Sequence, residues 1–218
     1  MITQYHSPQT SQLVMIGGHS RNVGKTSAVE GIICALREFN WTAVKITQFG
    51  HGVCAASGND CGCAVDQHAF AILEEQETTT GTDTARFLAA GARRSLWVRT
   101  KQGDLVSALP ALQQALANDR FIIVESNSLR QFWQPTLYLQ VLDPIQPDFK
   151  LSAQRYFDLA DGYLLVDRSD QTGSSATTGP QRLLGQLSTS RPVFLVSPLQ
   201  RFISNAVISF VKLKLVSS

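Results

Sequence analysis

The chain has 218 residues, 44% of them hydrophobic and 17% charged, which is enough apolar material for one domain core and too little charge for a disordered chain. Nineteen basic against seventeen acidic residues leave a net charge of +2, so there is no electrostatic case for nucleic acid or an anionic membrane as partner. Residues 1–11 are polar and lack the apolar core of a signal peptide, and no run reaches the roughly 18 apolar residues of a membrane span. A cytoplasmic location is expected. In that reducing compartment clustered cysteines point to metal or redox chemistry rather than to disulfides.

A polar tail over 1–11 and one domain over 12–218 are expected, since neither a repeat nor a low-complexity linker interrupts the chain. Short apolar runs predict strands over Leu13–Ile16, Thr42–Ile46, Leu96–Arg99, Phe121–Val124, Leu137–Leu142, Tyr163–Val166 and Val193–Val196. Between them, helical patterns are read over Lys25–Glu38, Ala64–Glu75, Asp83–Ala90 (with Thr82 as cap), Leu105–Ala117, Ala153–Leu159, Pro180–Leu187 and Arg201–Leu213. Gln48–Gly62 reads as irregular. Strands alternating with helices predict a three-layer α/β domain around a mostly parallel sheet of about seven strands.

The first strand runs into Gly17-Gly18-His19-Ser20-Arg21-Asn22-Val23-Gly24-Lys25-Thr26-Ser27, directly before a predicted helix. A glycine-rich turn opening a helix points backbone N–H groups and the helix N-terminus at an anion, which makes Gly18–Ser27 the candidate binding loop for nucleotide phosphates. Lys25 would neutralise β- and γ-phosphate charge, and the Thr26 hydroxyl would bind Mg²⁺. Five residues rather than four separate Gly18 from Gly24, so His19 occupies the usual first-glycine place. A turn that only connects strand to helix is the plain alternative, and it leaves Gly24-Lys25-Thr26 unexplained.

The longer loop Gly18-x4-Val23-Gly24-Lys25-Thr26 resembles the phosphate loop of dethiobiotin synthetases and cobyrinic-acid amidating synthases. These share a P-loop class with the molybdopterin-guanine dinucleotide biosynthesis protein B family. The extra lysine of partition-type ATPases is absent, because Arg21 and Asn22 stand there. Lys45 ends the second predicted strand, and in the resembling families a lysine there contacts phosphate or substrate; a strand-ending lysine in solvent is the alternative. Gly81-Thr82-Asp83-x-x-Arg86 followed by Ala90-Gly91-Ala92 looks like a segment of the molybdopterin family. That resemblance implies Asp83 as a Mg²⁺ ligand and Arg86 as a phosphate or substrate contact, against a helix cap and a solvated side chain. Glu125 ends the buried-type strand Phe121–Val124, the place of a metal-orienting acid. Both families carry Val-Glu-Gly here, whereas this chain has Val124-Glu125-Ser126-Asn127. Lys25, Lys45 and Glu125 are therefore the candidate catalytic residues, and Thr26, Asp83 and Glu125 the candidate Mg²⁺ ligands.

His51, Cys54, Cys61, Cys63 and His68 fall within eighteen residues. Three thiolates with one of the two imidazoles form an ordinary tetrahedral zinc set. Iron–sulfur ligation lacks its usual Cys-x2-Cys spacing, and a Cys61/Cys63 redox pair or plain packing are the alternatives. His51 also follows Lys45 as a histidine does in the molybdopterin family, which would place it with the substrate. Cys34, in the first helix, reads as packing.

The resemblance implies a protein that binds GTP or ATP with Mg²⁺, hydrolyses it weakly and assists cofactor assembly. A ligase resembling dethiobiotin synthetase, with a small-molecule acid substrate, and a metal-delivery GTPase using the Cys/His segment are the competing functions. No Asn-Lys-x-Asp guanine motif is seen. Relatives in this class commonly dimerise, so a homodimer is entertained.

Overall fold

A computed structural model describes residues 8, 11–49, 69–168, 191–197 and 203–216. Eight strands form one sheet. They are β1 (Gln12–Gly18), β2 (Thr42–Phe49), β3 (Phe70–Glu74), β4 (Arg94–Lys101), β5 (Phe121–Glu125), β6 (Leu137–Leu142), β7 (Gly162–Val166) and β8 (Val193–Val196). Their order is β3-β4-β2-β5-β1-β6-β7-β8, with β3 antiparallel to β4 and every other pair parallel. Parallel neighbours need crossovers, and the helices that make them cover both faces.

The helices are α1 (Lys25–Ala35), α2 (Asp83–Ala90), α3 (Leu109–Ala115), α4 (Leu151–Gln154) and α5 (Asn205–Val216). Strand β1 shows why three layers form. From Leu13 to Ile16 its residues are all apolar, so both faces must be buried. Val14 and Ile16 pack with Ile32 and Ile33 of α1 and Val207 and Val211 of α5, while Leu13 and Met15 pack with Leu109 and Leu112 of α3.

All seven predicted strands are present, and β3 is an eighth that the sequence reading places inside a helix. Ala, Leu and Glu in Phe70–Glu74 favour a helix on propensity, but pairing along β4 overrides it. Phe70 and Ile72, two residues apart and so on one face of the strand, pack against the core, and the strand becomes exposed at Leu73 and Glu74. Predicted helices are trimmed. Leu105–Ala117 becomes a 3₁₀ turn (Leu105–Ala108) followed by α3, whose first turn holds Pro110. Ala153–Leu159 becomes α4 and a 3₁₀ turn at Phe157–Leu159. The predicted helix Pro180–Leu187 lies outside the described residues.

Helix α2 matters because it begins at Asp83. Thr82 caps it, accepting from the Ala85 N–H at 3.1 Å, and donates to Glu75 at 2.8 Å. That hydrogen bond holds the Glu75 carboxyl below the usual range. Gly91 ends the helix at φ 110°, a left-handed cap that glycine adopts without strain. Phe87, fully buried, anchors it on the core. Phe87→Ala is expected to cost about 3–5 kcal/mol of unfolding free energy, read from urea denaturation.

Candidate functional site

The site forms where β1, β2 and β5 end, at the carboxyl edge at which open α/β sheets place ligands. Parallel register sets it up: Glu125 of β5 pairs with Ile16 of β1 on one side and with Lys45 of β2 on the other. Residues far apart in the chain thus reach the same edge, with α1 starting beside them.

The phosphate loop leaves β1 at Gly18 and enters α1 at Lys25. Gly24, at φ 96°, is the left-handed turn into the helix, and Asn22 takes φ 56° in the arch before it. Gly17 is packed closely, since a Cβ there would lie 2.6 Å from Asn127 Oδ1 and 2.7 Å from the Tyr138 hydroxyl. The imidazole of His19 is buried beneath the loop. Its Nε2 lies 3.1 Å from the Gln146 carbonyl, and its Nδ1 lies 3.5 Å from the Asp143 N–H. Burial lowers its pKa, consistent with a neutral ring donating to Gln146. Arg21, Asn22, Gly24, Lys25, Thr26 and Ser27 line the cleft; Gly18, Ser20 and Val23 support the arch from behind.

Lys25 folds back over the arch and donates to the Ser20 carbonyl at 2.7 Å. Burial lowers its pKa to about 8, against the opposing pull of Glu125. Thr26 Oγ1 donates to Glu125 Oε2 at 2.8 Å, and the Lys45 ammonium meets the other oxygen, Oε1. Lys45 also reaches Asp83 Oδ2 at 2.8 Å. The two candidate Mg²⁺ carboxylates therefore share one ammonium, and the candidate hydroxyl ligand holds one of them. Glu125 is only 3% exposed, so this carboxylate is buried and needs such partners. Arg86 makes two hydrogen bonds to Glu30, at 2.9 and 2.5 Å, and approaches Asp83 at 3.5 Å. It lines the cleft while tying α2 to α1.

The cleft encloses about 950 Å³, within the usual span for small-molecule sites. It includes residues that sequence reasoning passed over. Lys150 lines it from the segment after β6, with its pKa lowered by burial and then by the charges of Arg21 and Lys45. Its backbone N–H donates to the His19 carbonyl at 2.8 Å, so the phosphate loop itself places it. Gln48 extends the wall on the β2 side, donating to Ser128 at 3.1 Å and accepting from the Gly103 N–H at 3.2 Å. Asn127 makes two hydrogen bonds to Gly18, each 2.8 Å. No motif marks these three; only the missing glycine after Glu125 signals that the turn is built differently.

His51, Cys54, Cys61, Cys63 and His68 lie outside the described residues. The segment that carries them leaves and rejoins the described chain at the same carboxyl edge. Phe49 ends β2 beside Lys101, its carbonyl accepting from the Gln102 N–H at 2.7 Å, and Phe70 starts β3 opposite Thr100. Cys34 in α1 is half-buried beside Arg37. Among the described residues no cluster of three or more Cys, His, Asp or Glu side chains forms, and no helix is long and apolar enough to cross a membrane.

Lys25 carries a measurable penalty in this arrangement. Its folded pKa lies below its unfolded one, so the charged form is disfavoured by folding below about pH 8, and the penalty fades as the pH rises toward roughly 10.5. Lys25→Met is expected to raise the melting temperature at pH 7, with the gain shrinking at pH 10. Thermal melts of both proteins at the two pH values check this.

No protein-family model and no curated protein match the chain. Solved structures do. The chain is similar to HypB from Helicobacter pylori in complex with nickel, at 15% identity and a TM-score of 0.56, over 95% of this chain and 88% of that one. It is similar to the "apo" form of LpxK from Aquifex aeolicus in complex with ATP, at 13% identity and a TM-score of 0.47, over 87% of this chain and 54% of that one. A LAO/AO transport system kinase matches at 10% identity and a TM-score of 0.48, over 99% of this chain and 63% of that one. At such identities what is shared is the fold. The eight-stranded, mostly parallel sheet with helices on both faces is the fold of P-loop NTPases.

Proposed function

We propose that this chain binds the phosphates of GTP or ATP with Mg²⁺ over Gly18–Ser27 and hydrolyses the nucleotide slowly or transfers its phosphoryl group. The observation that carries the reading is the convergence of Lys25, Thr26, Lys45, Asp83 and Glu125 at one edge of the sheet. A hydroxyl and two carboxylates are the oxygen donors a hard cation takes, and one ammonium already spans the carboxylates. Thr26, Asp83 and Glu125 would hold Mg²⁺, which when bound supplies charge neutralisation on the phosphate oxygens. Lys25 and Lys45 contribute fixed positive charge where phosphoryl-oxygen charge develops. Glu125, held on both oxygens, orients rather than wanders.

Among finer readings, assistance in cofactor assembly, in the manner of the molybdopterin-guanine dinucleotide B proteins, rests on the Asp83–Arg86 segment and the Lys45 strand end. A dethiobiotin-synthetase-like ligase would need an acid substrate, and turnover that depends on one would favour it. The Cys/His segment supports a metal-delivery GTPase, because both of its ends join the chain at the nucleotide edge. The solved HypB structure, which holds nickel, has the same fold.

Isothermal titration of ATP and GTP, with and without Mg²⁺, tests the central reading. Lys25→Ala is expected to weaken binding by roughly a hundredfold or more, as loss of a charge-assisted contact to phosphate requires. Unchanged affinity would remove the phosphate-loop assignment. Plasma mass spectrometry of the purified protein is expected to show zinc that disappears when Cys54, Cys61 and Cys63 are replaced by Ser. Metal retained in full by the triple variant would refute that ligand set.

A further inference from the structure

The β1–β5 ladder does not stop where β5 stops. Ile16 pairs with Glu125, and the Ser126 N–H still donates to the Ile16 carbonyl at 3.1 Å. Beyond it the backbone of β5 turns away into the 3₁₀ turn Ser128–Gln131, which Ser126 caps by accepting from the Leu129 N–H at 3.1 Å. The side chain of Asn127 then takes over. Its Oδ1 accepts from the Gly18 N–H and its Nδ2 donates to the Gly18 carbonyl, both at 2.8 Å. A carboxamide thus stands in for one more residue of strand.

On the other side Gly18 pairs with Val141 of β6, and the His19 N–H donates to the Val141 carbonyl at 3.2 Å. Residues 17–19 are therefore stem, held from both sides, with the His19 ring buried below. The Gly18 N–H is committed to Asn127, so the free arch begins at Ser20. The additional residue between Gly18 and Gly24 is absorbed into the stem, and four residues remain between His19 and Gly24.

The geometry points to Asn127 as a positioning residue that holds the phosphate loop in its anion-binding conformation by pairing with the Gly18 backbone. The consequence for nucleotide affinity rests on the function proposed above. Asn127 acts through Gly18, and it couples the turn carrying Glu125 to the loop carrying Lys25.

Two variants test this in the full chain. Asn127→Leu keeps the approximate volume and removes both hydrogen bonds. Asn127→Asp keeps the acceptor for the Gly18 N–H and loses the donor to the Gly18 carbonyl. In nucleotide-free protein, hydrogen exchange over residues 17–26 should quicken at least about tenfold in Asn127→Leu, the loss of two hydrogen bonds at about 1 kcal/mol each being more than enough. MgATP and MgGTP should bind that variant roughly ten- to a hundredfold more weakly. For Asn127→Asp, exchange over residues 17–26 should quicken less than in Asn127→Leu, because the Gly18 N–H keeps its acceptor, a graded response that a change in packing alone would not produce. Unchanged exchange in Asn127→Leu, or unchanged affinity when wild type binds nucleotide, overturns the positioning role. Wild type that binds neither nucleotide overturns the proposed function instead, and the exchange result then decides the clamp alone.

Discussion

A buried carboxylate cannot be left unpaired, and the way Glu125 is paired organises the whole site. One of its oxygens takes the Thr26 hydroxyl from the first turn of α1; the other takes the Lys45 ammonium from the end of β2. Three elements are thereby held at one point, and Lys45 extends the link to Asp83 at the start of α2. None of these contacts is local in sequence. They exist because the parallel register of β1, β5 and β2 stacks Ile16, Glu125 and Lys45 side by side. The sheet supplies the geometry and the charge pairs supply the reason for residues of these types to stand there.

The glycine-rich turn between β1 and α1 was legible because its signal is local. A glycine that needs φ > 0, a lysine and a hydroxyl follow a strand and open a helix, and each has its own physical requirement within a few residues. The seven strands read correctly are apolar runs rich in branched residues, mostly buried except β8, where Val193 and Leu195 are exposed. Strand β3 was not legible, since Phe70–Glu74 becomes a strand only by pairing with Thr100–Leu96 of β4. Asn127 and Lys150 were hidden for a related reason. An asparagine in a turn and a lysine after a proline-rich stretch carry no pattern, and they acquire a role only when Gly18 and His19 arrive beside them. The residues that define the nucleotide reading were visible as a group; the contacts of Thr26 and Lys45 with Glu125, and of Lys45 with Asp83, were not.

The charges in the cleft conflict with stability. Lys25 is held at a carbonyl, with burial pulling its pKa down to about 8, and Lys150 is lowered by burial and by the neighbouring charges of Arg21 and Lys45. Packing would favour an apolar side chain at position 25. A chain with a net charge of only +2 nevertheless gathers Arg21, Lys25, Lys45, Arg86 and Lys150 around one concavity. Lys45 is paired with Asp83 and Glu125, and Arg86 with Glu30, but Arg21, Lys25 and Lys150 lie near enough to repel one another, and a bound anion would relieve that repulsion.

The same reasoning bears on the Cys/His segment. Lys101 and Phe49 lie side by side at the end of the β2–β4 pair, and Thr100 and Phe70 lie opposite each other at the start of β3. The segment leaves the chain at the end of β2, the strand that also carries Lys45 and Gln48 to the cleft. An ion bound by the segment would act on the ends of β2 and β3, and phosphate bound near Lys45 would act on β2 as well. Coupling between a metal and a nucleotide therefore needs no long relay in this fold. It needs only that both ligands bias the carboxyl end of β2. If the proposed metal and nucleotide both bind, the carboxyl end of β2 is where their effects would meet.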